Sequence, residues 1–363
     1  MFAELCMLDF IAEVAGGQIV VIVPTVALLD QWYIDLQEDL GVSAKDIAVF
    51  SGGHRSERAA DINLLVLNTA RHEAPKLAAA APTLLIVDEC HRAASAENAK
   101  ALAGEHVASL GLSATPERDY DEGLAEVLEP ALGKQFFEYG YDQASADGVI
   151  SDFVLVNVAI PLLPAEQAKY DSLSARVGAA TRAVKAGESD DSRLRIALQR
   201  RAAVANRAAS RVPVAVWLAD RHKGERTVIF HEEIAAAEAI YRLLLEHGHN
   251  ATIYHSKVPE HVRRDNLRLF RKGVFQVLVS CRALDEGVNV PETQVGVIAS
   301  SSASSRQRIQ RLGRVLRPAS GKERATVFTL YATEIEERRL RDESAHLKSA
   351  TAIRWQRAQV GVA

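Results

Sequence analysis

Leu84-Leu85-Ile86-Val87-Asp88-Glu89-Cys90-His91 is the stretch around which the chain is organised. Four apolar residues in a row, two of them β-branched, predict a buried parallel strand. Two carboxylates follow where that strand should end, and in an open α/β sheet the crevice at the carboxyl ends of the strands is where ligands bind. Asp88 suits Mg²⁺ held through water, because that hard cation takes few carboxylates and keeps most of its waters. Glu89, one residue on, faces another way and can orient or deprotonate an attacking water. A bare Asp-Glu pair is more often a charged turn after a strand, so the rest of the chain has to supply the matching parts.

Outward from that stretch the pattern is of strands alternating with helices, which implies α/β folding on parallel sheets. Residues 2–14 carry apolar side chains at helical spacing and stop at Gly16-Gly17. A strand at Ile19–Val23 closes on Pro24-Thr25, and a helix through Leu28, Leu29, Trp32, Ile34 and Leu36 starts near Thr25. Further strands are expected at Ile47–Phe50, Leu64–Leu67 and Leu110–Leu112, and Gly148–Leu163 is expected to return to this sheet as an edge strand. Residues 164–222 are rich in Ala and Arg with almost no strand signal, which predicts a helical insert, either a solvated spacer or a DNA contact.

A second α/β set begins at Thr227–His231. It runs through a helix at Ile234–Glu246, a strand at Ala251–Tyr254, a helix at Glu260–Lys272 and strands at Gln276–Ser280, Val295–Ser300 and Ala325–Tyr331. The tail, Glu334–Arg357, reads as a charged helix. The expected organisation is therefore a first domain over 1–160, a helical insert over 161–222, a second domain over 223–335 and a charged helical tail over 336–363.

Size allows two full cores, for the chain has 363 residues of which 48% are apolar. The net charge of −4 argues against a general basic coat, so any nucleic acid must bind in a local groove through backbone amides and a few placed cations. Cys6, Cys90 and Cys281 are widely separated, without a zinc or disulfide spacing, which suits a reducing cytoplasm. No apolar run approaches a membrane span, and no secretory signal is expected.

The sharpest spacing lies in 305–317, where Gln310, Arg314 and Arg317 fall at i, i+4 and i+7 on one helical face. Two guanidiniums and an amide aimed one way are what a phosphoryl-transfer site needs where charge spreads over the γ-phosphate oxygens. Before them, Ser280-Cys281-Arg282-Ala283-Leu284-Asp285-Glu286-Gly287 follows a buried strand with a polar, Gly-containing segment, again at a strand end.

Together these residues resemble a superfamily 2 DEAD/DEAH-box helicase or translocase, of the XPB-like and type III restriction helicase-subunit kind. Pro24-Thr25 with Leu28, Gln31 and Trp32 resembles motif Ia, and Asp88-Glu89-Cys90-His91 resembles motif II. Ser113-Ala114-Thr115 is similar to motif III, Val228–Glu232 to motif IV, Ser280–Gly287 to motif V and Gln310–Arg317 to motif VI. The resemblance covers almost the whole chain. It implies two RecA-like domains with ATP and Mg²⁺ between them, Asp88 and Glu89 serving the metal and the attacking water. It implies Arg314 and Arg317 as arginine fingers, Gln310 near the γ-phosphate, and Asp285, Gly287 and His91 at the nucleotide. His91, Ser113 and Thr115 would couple the site to domain movement, and Thr25, Thr69, His231 and Ser280 would hold nucleic-acid phosphates. DNA is expected over RNA, because Cys90-His91 departs from the Ala-Asp ending of the RNA-remodelling group.

One part of the family pattern is missing. No Gly-x-x-x-x-Gly-Lys-[Ser/Thr] occurs in the 363 residues, and Gly321-Lys322 has neither the spacing nor the following hydroxyl. The expectation is an N-terminally shortened helicase, impaired in turnover, with open backbone edges and apolar surface where a strand is lacking. The alternatives are a degenerate module that binds nucleic acid or a partner without hydrolysis, and the motor part of a restriction or defence nuclease complex.

Overall fold

The computed structural model describes residues 2–52, 56–113, 124–139, 143, 147, 153–187, 191–281, 293–300, 325–344 and 350–358. The chain forms two compact units, Met1–Tyr139 and Gly140–Ala363.

The first unit carries α1 (Phe2–Glu13), β1 (Gln18–Val23), α2 (Val26–Glu38), β2 (Ile47–Phe50), β3 (Ile62–Val66), α3 (Leu67–Ala80), β4 (Thr83–Asp88), β5 (Ala108–Leu112) and α4 (Glu129–Leu132). The strands pair in the order β2-β3-β1-β4-β5, all parallel. Both faces are covered. Ile19, Val21 and Val23 of β1 pack against α1 and α2, while Val20 and Ile22 pack against α3 and the turn after β4. That two-sided burial is why these strands read as unbroken apolar runs rather than as alternating ones. Gly17 closes the α1–β1 turn where a Cβ would lie 2.8 Å from Phe10 Cε1. Thr25 caps α2, accepting the Leu28 amide at 3.4 Å.

β5 is the edge strand beside β4 and is only partly covered. α1 buries Ala3, Met7 and Phe10 but leaves Phe2, Leu5, Leu8 and Ile11 about half exposed.

The second unit holds β6 (Phe153–Ala159), α5 (Pro164–Lys185), α6 (Asp191–Asn206), α7 (Arg211–Arg221), β7 (Thr227–Phe230), α8 (Ile234–Glu246), β8 (Ala251–Tyr254), α9 (Glu260–Arg271), β9 (Val277–Ser280), β10 (Val295–Ile298), β11 (Ala325–Tyr331), α10 (Glu334–Ser344) and β12 (Ala350–Arg357). Its sheet runs β12-β6-β11-β10-β7-β9-β8, again all parallel.

Two expectations are corrected. The strand within Gly148–Leu163 does not return to the first sheet: β6 pairs with β11 and β12 in the second, so the division between units falls before it. The tail is not one helix, because after α10 the chain forms β12, whose Trp355 packs edge-on against Tyr331 at 5.7 Å between ring centroids. The helical insert holds α5–α7, and α7 packs Val214, Ala215 and Leu218 into the core of the second sheet.

Candidate active site at the carboxyl edge of the first sheet

Because the first sheet is wholly parallel, its carboxyl ends lie along one edge. Asp88 is the last residue of β4 and pairs in register with Leu112 of β5, so Ser113 emerges beside it. Ile22 near the end of β1 pairs with Val87, which brings the Pro24-Thr25 turn to the other side of β4. Thr69 lies in the first turn of α3, after β3. The fold thus sets Thr25, Thr69, Asp88, Glu89, His91 and Ser113 on one edge.

Both carboxylate oxygens of Asp88 are held. The Trp32 indole N–H donates to Oδ2 at 3.0 Å, and the Glu89 amide donates to Oδ1 at 2.9 Å. Burial raises the Asp88 carboxyl above its ordinary range, the Trp32 bond opposes that, and the Glu89 charge adds to it. Glu89 has φ 49° and ψ 47°, and among the described residues it is the one non-glycine with positive φ. A left-handed backbone at a residue with a full side chain is strained, and such strain clusters at functional positions. The Glu89 carboxylate reaches His91 Nδ1 at 3.3 Å, and the same nitrogen lies 2.9 Å from Ser113 Oγ. His91 therefore bridges the ends of β4 and β5. Cys90 turns inward, its thiol pushed up to about 11 by burial and the two neighbouring carboxylates, so it stays protonated.

This donor set fits Mg²⁺. Asp88 and Glu89 remain partly exposed at the open end of the strand, and each Asp88 oxygen keeps a lone pair beyond the bond it already accepts. Among the described residues no group of three or more His, Cys, Asp or Glu could cage a metal. One carboxylate with waters is what Mg²⁺ accepts, and an all-protein cage is what it does not require.

At the carboxyl edge of the second sheet, His231 and Ser280 are 1% and 0% exposed. His231 Nδ1 accepts the Glu233 amide at 3.0 Å. Burial first, and then the Arg211 cation, lower its pKa to about 4, so the ring is neutral. The Ser280 hydroxyl has no partner among the described residues. Thr115, Asp285, Gly287, Gln310, Arg314 and Arg317 lie outside the described residues.

The roles of two residues escaped the sequence reading. Trp32 falls in the stretch that resembles motif Ia and reads as an apolar member of α2, but nothing in the sequence pointed to its bond with Asp88. Arg211, fully buried, donates to the carbonyls of Ala205, Ala299 and Leu330 at 2.8, 2.6 and 3.0 Å and to Glu336 Oε1 at 2.6 Å. A lone cation in the run Ser210-Arg211-Val212-Pro213-Val214 was the only signal for it.

Comparison with known proteins bears on the family and the fold. Residues 5–118 match the family described as type III restriction enzyme, res subunit, and residues 210–319 match the helicase conserved C-terminal domain. The chain is 26% identical over 316 residues to the DNA 3'-5' translocase XPB2 of Sulfurisphaera tokodaii, covering 82% of this chain and 68% of that protein. It is 29% identical over 349 residues to the putative DNA 3'-5' helicase Rad25 of Haloarcula marismortui, covering 92% of this chain and 49% of that protein. The chain thus spans about half the length of the haloarchaeal relative. Among solved structures, S. cerevisiae Dbp5 bound to RNA and ADP BeF3 superposes with TM-score 0.64 at 14% identity, covering 98% of this chain and 81% of that one; at that identity the likeness speaks to fold alone.

Proposed function

We propose that this chain, which belongs to the superfamily 2 helicases of the XPB-like and type III restriction-subunit kind, is the two-domain motor of an ATP-driven DNA helicase or translocase. The observation that carries this reading is the Asp88-Glu89 pair at the open carboxyl end of β4, with His91 bridging Glu89 to Ser113. Asp88 would hold a Mg²⁺ ion through water, and such an ion would supply positive charge against the phosphates of a bound nucleotide. Glu89 orients the attacking water and accepts its proton at a carboxylate oxygen. His91 and Ser113, with Thr115, report the state of Glu89 to the neighbouring strand end. Following the resemblance, the second unit adds Gln310, Arg314 and Arg317 for the developing γ-phosphate charge, with Asp285 and Gly287 at the nucleotide.

Thr25 and Thr69, both partly exposed at strand ends, are the side chains that hold nucleic-acid phosphates, a mode that reads backbone rather than sequence. His231 and Ser280 are the corresponding candidates at the carboxyl edge of the second sheet, where both side chains are buried and His231 Nδ1 accepts the Glu233 amide. DNA is the preferred substrate, supported by the names of the XPB2 and Rad25 relatives. The match to a restriction subunit supports a nuclease or defence partner. The 363 residues contain no phosphate loop, which favours as second reading a module that binds DNA without turnover on its own.

ATP hydrolysis and DNA binding by the purified chain, with Glu89→Gln beside it, test the proposal. The expected result is DNA binding that falls steeply with salt, and turnover near background. Failure to bind single- or double-stranded DNA at low salt overturns the DNA motor. Robust DNA-stimulated turnover that disappears in Glu89→Gln supports the motor and overturns the dependence on a phosphate loop from elsewhere.

A further inference from the structure

The carboxylate that the function needs is not held by its own strand alone. Asp88 Oδ2 is gripped by Trp32, 56 residues earlier in the chain and on a different element. The indole N–H is a donor only, on a side chain with two rotatable angles, so it cannot swap roles or drift far. Its ring packs against the apolar cluster built from α1, β1, α2 and β4, which fixes the donor in place. The Glu89 amide holds the other oxygen at 2.9 Å. Two donors on two oxygens set the carboxylate plane, and the lone pairs left over point where water or a cation can meet them.

We propose that Trp32 is a positioning residue for Asp88: its indole N–H orients the carboxylate so that a hydrated divalent cation is received without reorganisation. The inference rests on Asp88 being the metal-facing carboxylate of the proposed motor. A ligand-orienting hydrogen bond of this kind acts on metal affinity through geometry, and its loss typically weakens the site by an order of magnitude. The same helix begins at Thr25, whose hydroxyl caps it. A 13-residue helix therefore carries a candidate phosphate contact at its first turn and the Asp88 donor about two turns on. Whatever shifts α2 shifts the donor, which ties nucleic-acid contact to metal readiness through one rigid element.

The test uses Mn²⁺ alone as the probe, on the full chain. The protein has three tryptophans, Trp32, Trp217 and Trp355, so ¹⁵N spectra contain three indole N–H signals, assignable by single Trp→Phe replacements. Asp88→Asn is expected to move the Trp32 indole signal and leave the other two. Paramagnetic Mn²⁺ should broaden the Trp32 signal first, and Mn²⁺ affinity by electron paramagnetic resonance should fall about tenfold in Trp32→Phe. Replacement of Trp32 by 3-benzothienylalanine, which keeps the shape of the ring and lacks the N–H, should reproduce that loss if Phe disturbs packing. Unchanged Mn²⁺ affinity in the benzothienyl protein, with affinity lost in Asp88→Asn, overturns the positioning role and leaves Asp88 as the metal carboxylate. Mn²⁺ binding that is absent, or indifferent to Asp88→Asn, overturns the assignment of Asp88 itself.

Discussion

The two sheets end in opposite ways at their carboxyl edges. At the edge of the five-stranded sheet, Asp88, Glu89, His91 and Ser113 are all partly exposed, and Glu89 sits in a strained backbone. At the edge of the seven-stranded sheet, Arg211 is fully buried and ties α7 to the exits of β10 and β11 and to Glu336 of α10, while His231 is buried and neutral beside it. Both sheets are parallel and covered by helices, so topology alone does not make the difference. At the second edge the described polar groups are buried, whereas at the first they are bonded to one another and still partly exposed.

That contrast breaks first at Arg211. Arg211→Met leaves Glu336 without its cation and takes a donor from each of three carbonyls, and should destabilise the second unit by about 3–5 kcal/mol. Denaturant unfolding can read the units separately, since Trp32 reports the first and Trp217 and Trp355 the second. A loss below about 1 kcal/mol, the level of a surface pair, would mean that the closed edge is not closed.

The next effect is the pH response of His231. Its folded pKa is depressed from 6.5 to about 4, so the unfolded state takes up a proton first as pH falls. Stability linked to this group is therefore intact above about 6.5 and is lost on the way down to about 4, amounting to about 3 kcal/mol across the window. Comparing unfolding between pH 7 and 4 in the wild type and in His231→Gln isolates the contribution. An identical slope in both proteins would refute it.

Smaller again is Gly17→Ala in the first unit. The new Cβ would meet Phe10 Cε1 at 2.8 Å and the Val14 carbonyl oxygen at 3.0 Å, an overpacking expected to cost about 1–3 kcal/mol. It should lower only the transition reported by Trp32. The smallest effect has the opposite sign. Glu89→Gly relieves the left-handed backbone at φ 49°, and should leave the first unit as stable as the wild type or more stable by about 1 kcal/mol. It also removes the carboxylate that the proposed chemistry needs. A clear destabilisation would show that the Glu89 side chain serves the fold, and would erase the contrast between the edges.

Much of the fold was legible because the strands are buried on both faces. Ile47–Phe50, Ala251–Tyr254 and Ala325–Tyr331 coincide with the observed strands, and Ile234–Glu246 with the observed helix. Thr25 was recognisable as a helix start because a hydroxyl before an apolar-periodic run satisfies amides that the helix cannot. Which sheet receives a strand is a different matter. Phe153–Ala159 looks like an edge strand from any viewpoint in the sequence, and it joined β11 and β12 because their backbone edges met it in register. The tail misled for the same reason. Its charges are those of an exposed helix, yet Ala350–Arg357 pairs with β6 and sets Trp355 between Tyr331 and Arg341.

At the candidate site the division is equally physical. Residue order by itself determined the strand-end carboxylates, the helix start and the periodic burial, because each depends on neighbours a few positions away. Only the tertiary structure decided that Trp32 would hold Asp88, that His91 would reach Ser113, and that Arg211 would seal the second edge. Each of those contacts joins residues separated by 22 to 125 positions. Such bonds depend on strand order and register, which local sequence cannot specify, and they separate a polar turn from a site.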